Sequence, residues 1–190
     1  MTDKNKTTNI LMVGVGGQGI ILASDIVSAA ALHAGFDAKK SEIHGMSQRG
    51  GSVFSHIRFG KHIYSPVIPN HQADILLSLE LMETLRWVQY AGPDTQCIVS
   101  QEMILPAMVE EYPTGLEDEI KKLSQKTVFV DPKELIKKIG DKKYINVAFC
   151  GMLAKYIDLP EASWKQSIEE HVPRGTFEAN WTAFGIGKTD

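Results

Sequence analysis

The chain has 190 residues, of which 43% are hydrophobic and 23% are charged, and its formal net charge is −3. This length and composition are those of one domain with a buried core, so we expect a single domain over residues 1–190. The charge provides no broad positive field, which excludes the usual electrostatic basis for nucleic-acid binding.

The first part of the chain predicts a strand, a tight turn and a helix. Residues 10–13 are a short apolar run that is typical of a buried strand, and residues 14–19 follow as a glycine-rich turn. Residues 20–34 are apolar almost all round, which indicates a buried helix, and Gly35 is well placed to end it. Residues 37–43 predict the next strand. These elements form the first half of a βαβ unit.

An antiparallel hairpin is predicted after a polar, glycine-rich segment at residues 44–51. Residues 53–59 alternate in polarity and predict one strand. Gly60 begins a turn, and residues 62–64 are predicted to return as the second strand.

The rest of the chain alternates between strands and helices. Strands are predicted at residues 74–79, 96–100 and 127–130, and helices at residues 81–90, 116–124 and 131–140. From Asn146 onwards the pattern is helical, with breaks at Pro160 and Pro173. The sequence therefore predicts an α/β fold with a mostly parallel, Rossmann-like sheet, an antiparallel hairpin addition and a helical C-terminus.

The glycine-rich turn fits the G-x-G-x-x-G pattern with Gly14, Gly16, Gly17, Gln18 and Gly19. Its glycines permit a tight turn, and the following helix start presents free N–H groups to an anion. Binding of NAD or FAD also needs a carboxylate near the end of the second strand. Glu42 is near that place, whereas Asp37 lies too early. The pattern thus leaves two alternatives, dinucleotide binding or close packing of strand, turn and helix.

The polar segment at residues 44–51 contains Ser47, Gln48, Arg49 and Gly50. An arginine fork in such a loop can hold a phosphate or a carboxylate, and arginine is also enriched at partner surfaces. A plain surface loop is the third alternative.

Glu80 follows the predicted strand at residues 74–79. In an open α/β sheet, segments that follow strands meet at one edge, so the glycine-rich turn, the polar segment and Glu80 are expected to lie close together. Glu80 would then hold Arg49 or accept a loop N–H, unless it is an ordinary exposed carboxylate at a helix start.

No catalytic set is evident in the sequence. The six histidines are scattered, and there is no H-E-x-x-H, G-x-S-x-G or P-loop motif. Cys97 and Cys150 are too few and too far apart for an iron–sulfur cluster, a zinc site or a disulfide framework. No segment has the pattern of a signal peptide or a membrane span. We expect a cytoplasmic protein without catalytic residues, metal ligands or membrane contact.

Several segments together resemble the gamma subunit of 2-oxoacid:ferredoxin oxidoreductases. They are residues 14–19, residues 46–52, Ser65-Pro66, residues 73–80, and Asn180 with Ala183-Phe184. The resemblance spans nearly the whole chain. The Met-Ser-Gln-Arg segment is most similar to the small beta subunit of indolepyruvate oxidoreductase.

The resemblance implies an accessory, non-catalytic subunit that supports oxidative decarboxylation of a 2-oxoacid to acyl-CoA. Larger catalytic subunits would carry thiamine diphosphate, magnesium and iron–sulfur clusters, coenzyme A would be the co-substrate, and ferredoxin would receive electrons through the complex. Residues 14–19, residues 47–50 and Glu80 would contact coenzyme A or the partner subunit. The isolated chain would be inactive, and a homodimer is an alternative for it. The rival hypotheses are a free-standing NAD(P)- or FAD-binding reductase and a nucleotide-binding regulatory module.

Overall fold

The computed structural model describes residues 6–44, 51–106 and 110–190. Over these residues the chain forms a mixed sheet between two layers of helices. The strands are β1 Thr8–Val15, β2 Asp37–His44, β3 Ser52–Gly60, β4 Ile75–Ser78, β5 Gln96–Ser100 and β6 Thr127–Val130. The helices are α1 Ile20–His33, α2 Leu81–Arg86, α3 Leu116–Leu123, α4 Pro132–Ile139, α5 Ile145–Ala154, α6 Glu161–His171 and α7 Phe177–Thr189.

The strand order is β2-β3-β1-β4-β5-β6. Strands β1, β4, β5 and β6 pair in parallel, whereas β3 runs antiparallel to both β1 and β2. As a result β2 points the same way as β1, and every strand except β3 ends at the same edge of the sheet. We call this the carboxyl edge. The predicted α/β fold, with a mostly parallel sheet, an antiparallel addition and a helical C-terminus, is confirmed.

The antiparallel strand β3 has different partners from those predicted. Residues 62–64 do not form a strand, and β3 instead lies between β1 and β2 in the interior of the sheet. The backbone N–H of Ile63 donates to the carboxylate of Asp37 at 2.8 Å. This N–H is therefore not available for a hydrogen bond to a neighbouring strand. Ser55 and His56 point to opposite faces of β3 and are both buried, as expected for a strand in the interior of the sheet.

Each face of the sheet buries its own apolar cluster. The larger cluster lies under α1 and α4 to α7, and it includes Ile10, Met12 and Trp164. The smaller cluster lies under α2 and α3, and it includes Leu11 and Val13. Successive side chains of a strand point to opposite faces, so the short apolar run in β1 supplies both clusters.

Helices α5 and α7 approach each other through glycines. A Cβ atom placed on Gly187 would overlap the backbone carbonyl of Ala148, and one on Gly151 would overlap the carbonyl of Phe184. Because the obstacles are backbone atoms, no side-chain rotation relieves them. Gly185, on the exposed side of α7, has open space around it and is a matched control.

We expect Gly187→Ala to lower the free energy of unfolding by about 1–3 kcal/mol, because overpacking forces the two helices apart. Gly185→Ala should leave stability unchanged or raise it by up to about 1 kcal/mol, since alanine favours a helix more than glycine does. Urea denaturation of both variants checks this. Equal stability of the two would mean that α5 and α7 do not pack through Gly187.

His56 is a buried titratable group in the interior strand β3. Its ring makes edge contacts with Phe54 and Tyr90, and its Nδ1 accepts the backbone N–H of Ile68 at 3.3 Å. Burial, and then the charge of Arg58, lower the pKa of His56 below its ordinary value. The neutral form is therefore favoured in the folded protein.

We expect His56 to make stability depend on pH. The unfolded chain protonates this residue near pH 6.5, whereas the folded chain does so only at lower pH. This contribution is fully present above about pH 6.5 and falls as the pH is lowered, by at most about 1.4 kcal/mol per pH unit. His56→Gln should flatten the curve of unfolding free energy between about pH 6.5 and 5, while His62→Gln, at an exposed site, should not. Identical curves for all three proteins would refute the assignment.

Candidate functional site

The carboxyl edge of the sheet borders a cleft of about 660 Å³. One wall is the glycine-rich turn, from Gly16 to Gly19. The opposite wall is the segment that follows β5, through Glu102 and Ile104, and the start of α5 closes the side between them. Glu80 lies at the same edge, two residues after the end of β4, but it does not line the cleft. The sequence therefore predicted the place of the turn and of Glu80, but not the walls that complete the cleft.

Two glycines of the turn have backbone conformations that other residues rarely adopt. Gly17 has φ 100° and Gly19 has φ 80°. A Cβ atom on Gly17 would meet nothing, so this position serves the turn alone. A Cβ atom on Gly19 would overlap the side-chain amide of Asn146, which donates to the Gly19 carbonyl at 3.2 Å. Gly19 therefore serves both the turn and the contact between α1 and α5.

Gln18 is used inside the protein. Its Oε1 accepts the backbone N–H of Val15 at 2.7 Å, and its Nε2 donates to the carbonyl of Leu79 at 2.6 Å. The side chain thus joins the end of β1 to the end of β4. A Cβ atom on Gly14 would lie 2.7 Å from Gln18 Oε1, so the absence of a side chain at Gly14 leaves room for the Gln18 amide. Gln18 was predicted to contact a ligand. Its side-chain amide already binds Val15 and Leu79, so a ligand contact would have to be made in addition to these two hydrogen bonds.

The cleft offers several groups that attract an anion. Helix α1 begins after Gly19 without a side-chain cap, so its first N–H groups and its positive dipole end are directed to this region. Lys142 and Lys143 line the cleft, and Glu102 is the one acidic residue among its described lining residues. Lys143 pairs with Asp141 at 2.9 Å, which raises the pKa of the lysine and balances part of its charge, so Lys143 adds less to the attraction than its charge alone suggests.

Glu80 is buried, with 1% of its surface exposed, so the interpretation as an ordinary exposed carboxylate is wrong. Its Oε2 accepts the backbone N–H of Glu83 at 2.9 Å and caps α2. Its Oε1 accepts the N–H of Ile104 at 3.1 Å and the hydroxyl of Tyr112 at 2.5 Å. This N–H comes from the segment after β5, so the bond predicted between Glu80 and the glycine-rich turn or the polar segment stays a prediction. Burial, and then the hydrogen bond to Glu80, raise the pKa of Tyr112, so its hydroxyl remains a donor.

Glu83 is a second buried carboxylate at the start of α2, which the sequence analysis did not identify. Its carboxylate accepts hydrogen bonds from Ser52 at the start of β3, from Trp87 at 3.2 Å and from Arg86 at 2.8 Å. The only sequence signal was the Glu-x-x-Glu spacing from Glu80 at a helix start. The partners come from other elements and could not be read from that spacing.

Ser47, Gln48, Arg49 and Gly50 lie outside the described residues. Gly51, which follows them, is at the carboxyl edge, where its carbonyl accepts the backbone N–H of Gly16 at 2.8 Å.

The remaining predictions concern metals and membranes. Cys97 and Cys150 are buried in different apolar clusters. Burial raises the pKa of their thiols to about 11 and about 12. Within residues 6–44, 51–106 and 110–190, no three His, Cys, Asp or Glu side chains form a group that could hold a metal ion. No helix in these ranges is long and apolar enough to cross a membrane.

Comparison with known proteins identifies relatives over the whole chain. The family model for pyruvate ferredoxin/flavodoxin oxidoreductase matches residues 9–189. The indolepyruvate oxidoreductase subunit IorB of Thermococcus kodakarensis is 36% identical over 193 residues, which cover 96% of this chain and 95% of the relative.

Two solved structures share the fold. The gamma subunit of a keto/oxoacid ferredoxin oxidoreductase from Geobacter sulfurreducens matches with a TM-score of 0.73 and 22% identity, over 96% of this chain and 94% of that one. The 2-oxoglutarate:ferredoxin oxidoreductase of Magnetococcus marinus, solved with 2-oxoglutarate, coenzyme A and succinyl-CoA bound, matches with a TM-score of 0.78 and 18% identity. That match covers 97% of this chain and 31% of the other. The resemblance predicted from the sequence is confirmed, and the chain belongs to the pyruvate ferredoxin/flavodoxin oxidoreductase family.

Proposed function

We propose that this chain is the small, non-catalytic subunit of a 2-oxoacid:ferredoxin oxidoreductase of the indolepyruvate type. The observation that carries the proposal is the match to a curated protein that is itself named as a subunit, over 95% of its length. Larger partner subunits would then carry out oxidative decarboxylation of the 2-oxoacid to acyl-CoA and pass electrons to ferredoxin.

The cofactors of the reaction belong, in this proposal, to the partner subunits. Cys97 and Cys150 lie on opposite faces of the sheet, and their raised thiol pKa disfavours the thiolates that a cluster needs. These residues do not fit an iron–sulfur cluster. We assign thiamine diphosphate, magnesium and the clusters to the larger subunits, and no step of the reaction to this chain's own side chains.

Within the complex, we propose that the cleft binds phosphate groups of coenzyme A. The uncapped start of α1 and the ammonium groups of Lys142 and Lys143 form a site that favours an anion. The glycine-rich turn lets a ligand approach the backbone closely. Coenzyme A is among the molecules bound by the structurally similar Magnetococcus marinus enzyme, which supports it as the co-substrate here.

Contact with the partner subunit is the second candidate role for this edge. Four large apolar side chains near the carboxyl edge are exposed, namely Ile21, Ile43, Met103 and Leu105. A partner subunit that covers this edge would bury these side chains, because contiguous apolar surface is typical of interaction sites. The predicted contact of Ser47, Gln48, Arg49 and Gly50, with coenzyme A or with the partner subunit, fits either role and stays a prediction.

A free-standing dinucleotide-dependent reductase is disfavoured by the sheet order. In the dinucleotide-binding fold the ribose of NAD is bound by a carboxylate at the end of the second strand of the βαβ unit, which lies directly beside β1. Here β3 separates β2 from β1, so Glu42 is about 10 Å away, two strand spacings from β1. The carboxylate of Glu42 is also paired with Lys40 at 2.8 Å. Within the part of the chain that the structure describes, the glycine-rich turn therefore lacks the carboxylate that would make it specific for a dinucleotide.

We expect the isolated chain to be inactive and the assembled complex to be active. The purified chain should not turn over 2-oxoacids with coenzyme A and a dye acceptor, because the proposal assigns the catalytic groups to the larger subunits. Adding the larger subunit should restore turnover, and native mass spectrometry should detect the complex. Turnover by the chain alone, or a homodimer that binds NADH tightly, would instead favour the reductase.

Removing the two cleft lysines should weaken coenzyme A binding. In the assembled complex, Lys142→Ala/Lys143→Ala should raise the KM for coenzyme A by about 3- to 10-fold, the effect of losing roughly 1 kcal/mol of exposed charge interaction. The KM for the 2-oxoacid should not change. The control Lys121→Ala/Lys122→Ala removes the same charge from α3, away from the cleft. Equal KM values for both double variants would exclude this cleft as the phosphate site.

A further inference from the structure

One wall of the cleft has no regular secondary structure of its own. The segment at residues 101–106 follows β5, and its alternate residues Glu102 and Ile104 line the cleft. Met103 and Leu105 lie between and beyond them, 62% and 48% exposed. Neither a helix nor a strand ladder fixes this wall, so its position depends on individual hydrogen bonds.

The near end of this wall is held by backbone contacts and by Ser100 Oγ, which accepts the N–H of Glu102 at 3.1 Å, and the far end is held by the side chain of Glu80. The carbonyl of Glu102 accepts the N–H of Leu81 at 2.9 Å, next to the start of α2. Beyond that point, the N–H of Ile104 donates to Glu80 Oε1 at 3.1 Å. Among the described contacts, this bond is the one that holds the wall at Ile104.

Glu80 is itself held by Tyr112. The Tyr112 hydroxyl donates to the same oxygen, Glu80 Oε1, at 2.5 Å, and it accepts the backbone N–H of Met82 at 2.9 Å. A buried carboxylate is stable only while donors satisfy its oxygens. Without the hydroxyl, Oε1 keeps the N–H of Ile104 as its one described donor. Water entry or a shift of the carboxylate would then release Ile104.

We propose that Glu80 and Tyr112 form a positioning pair that fixes residues 102–104 as a wall of the cleft and thereby sets its fit to coenzyme A. This inference rests on the proposed function of the cleft. Glu80 does not line the cleft, so it acts through Ile104 rather than by touching a ligand. Capping of α2 explains the bond from Glu83 but neither the bond from Ile104 nor that from Tyr112.

Tyr112→Phe tests the proposal, because it removes one hydroxyl and keeps the ring. In the assembled complex, hydrogen exchange of the Ile104 amide should become about fivefold faster or more, as its acceptor is freed to move. The KM for coenzyme A should rise by about threefold or more, while kcat stays within about twofold. Tyr64→Phe removes the same group at a site that is 94% exposed, and it should change neither quantity.

Glu80→Gln provides a second variant with a larger expected effect. A glutamine cannot offer acceptors to Glu83, Ile104 and Tyr112 at once, because its NH₂ group is a donor. We therefore expect faster exchange at Ile104 and a higher KM than in Tyr112→Phe. Should this variant fold poorly, Tyr112→Phe still decides the question.

The two proposals fail in different ways. If Lys142→Ala/Lys143→Ala raises the KM for coenzyme A but Tyr112→Phe does not, the proposed role of Glu80 and Tyr112 is wrong, and the proposal that the cleft binds coenzyme A is retained. Faster exchange at Ile104 with an unchanged KM would likewise reduce the pair to a structural role and overturn the proposal. If the lysine variant also leaves the KM unchanged, the cleft does not bind coenzyme A, and the positioning role falls with it.

Discussion

The position of β3 between β1 and β2 determines the layout of the carboxyl edge. Because β3 runs antiparallel to β1, from Val15 opposite Ser52 to Thr8 opposite Phe59, it begins where β1 ends. That register places Gly51 against the glycine-rich turn, where its carbonyl accepts the N–H of Gly16. It also moves β2 one strand away from β1. The turn therefore has β3 on one side and β4 on the other, and its cleft opens toward the ends of β4 and β5 and the start of α5.

Two buried carboxylates connect the elements that this arrangement brings together. Burying a charge is costly, and the cost is offset only when each oxygen has donors. Glu83 takes its donors from β3 and α2, whereas Glu80 takes them from α2, Ile104 and Tyr112. Glu80 caps the start of α2 and Glu83 lies in its first turn, where the helix dipole favours negative charge. The start of α2 thus anchors the start of β3 through Glu83, and the irregular segment after β5 through Glu80.

The sequence predicted the positions of the strands and helices better than it predicted which of them pack together. Local apolar runs and glycine positions located every strand of the sheet, because such signals arise within a few residues. The predicted partner of β3 was wrong, because strand pairing depends on contacts between residues far apart in the chain. The alternation of residues 53–59 is compatible with an edge strand and with an interior strand, so it could not decide the pairing. Glu80 was located correctly, but its burial depends on Tyr112, which lies 32 residues away. Lys142, Lys143 and Asn146 were missed because they reach the glycine-rich turn only through the packing of α5.

The glycine-rich turn shows why a motif predicts chemistry more reliably than it predicts a ligand. Glycines before a helix start allow an anion to approach free N–H groups, whatever molecule carries that anion. Specificity for a dinucleotide comes from a second group on the neighbouring strand, and in this fold β3 occupies that position. The additional charge comes instead from Lys142 and Lys143, beside the amide of Asn146 that contacts Gly19. Those groups favour a phosphate without any contact to an adjacent ribose, which is the recognition that the proposed coenzyme A site requires.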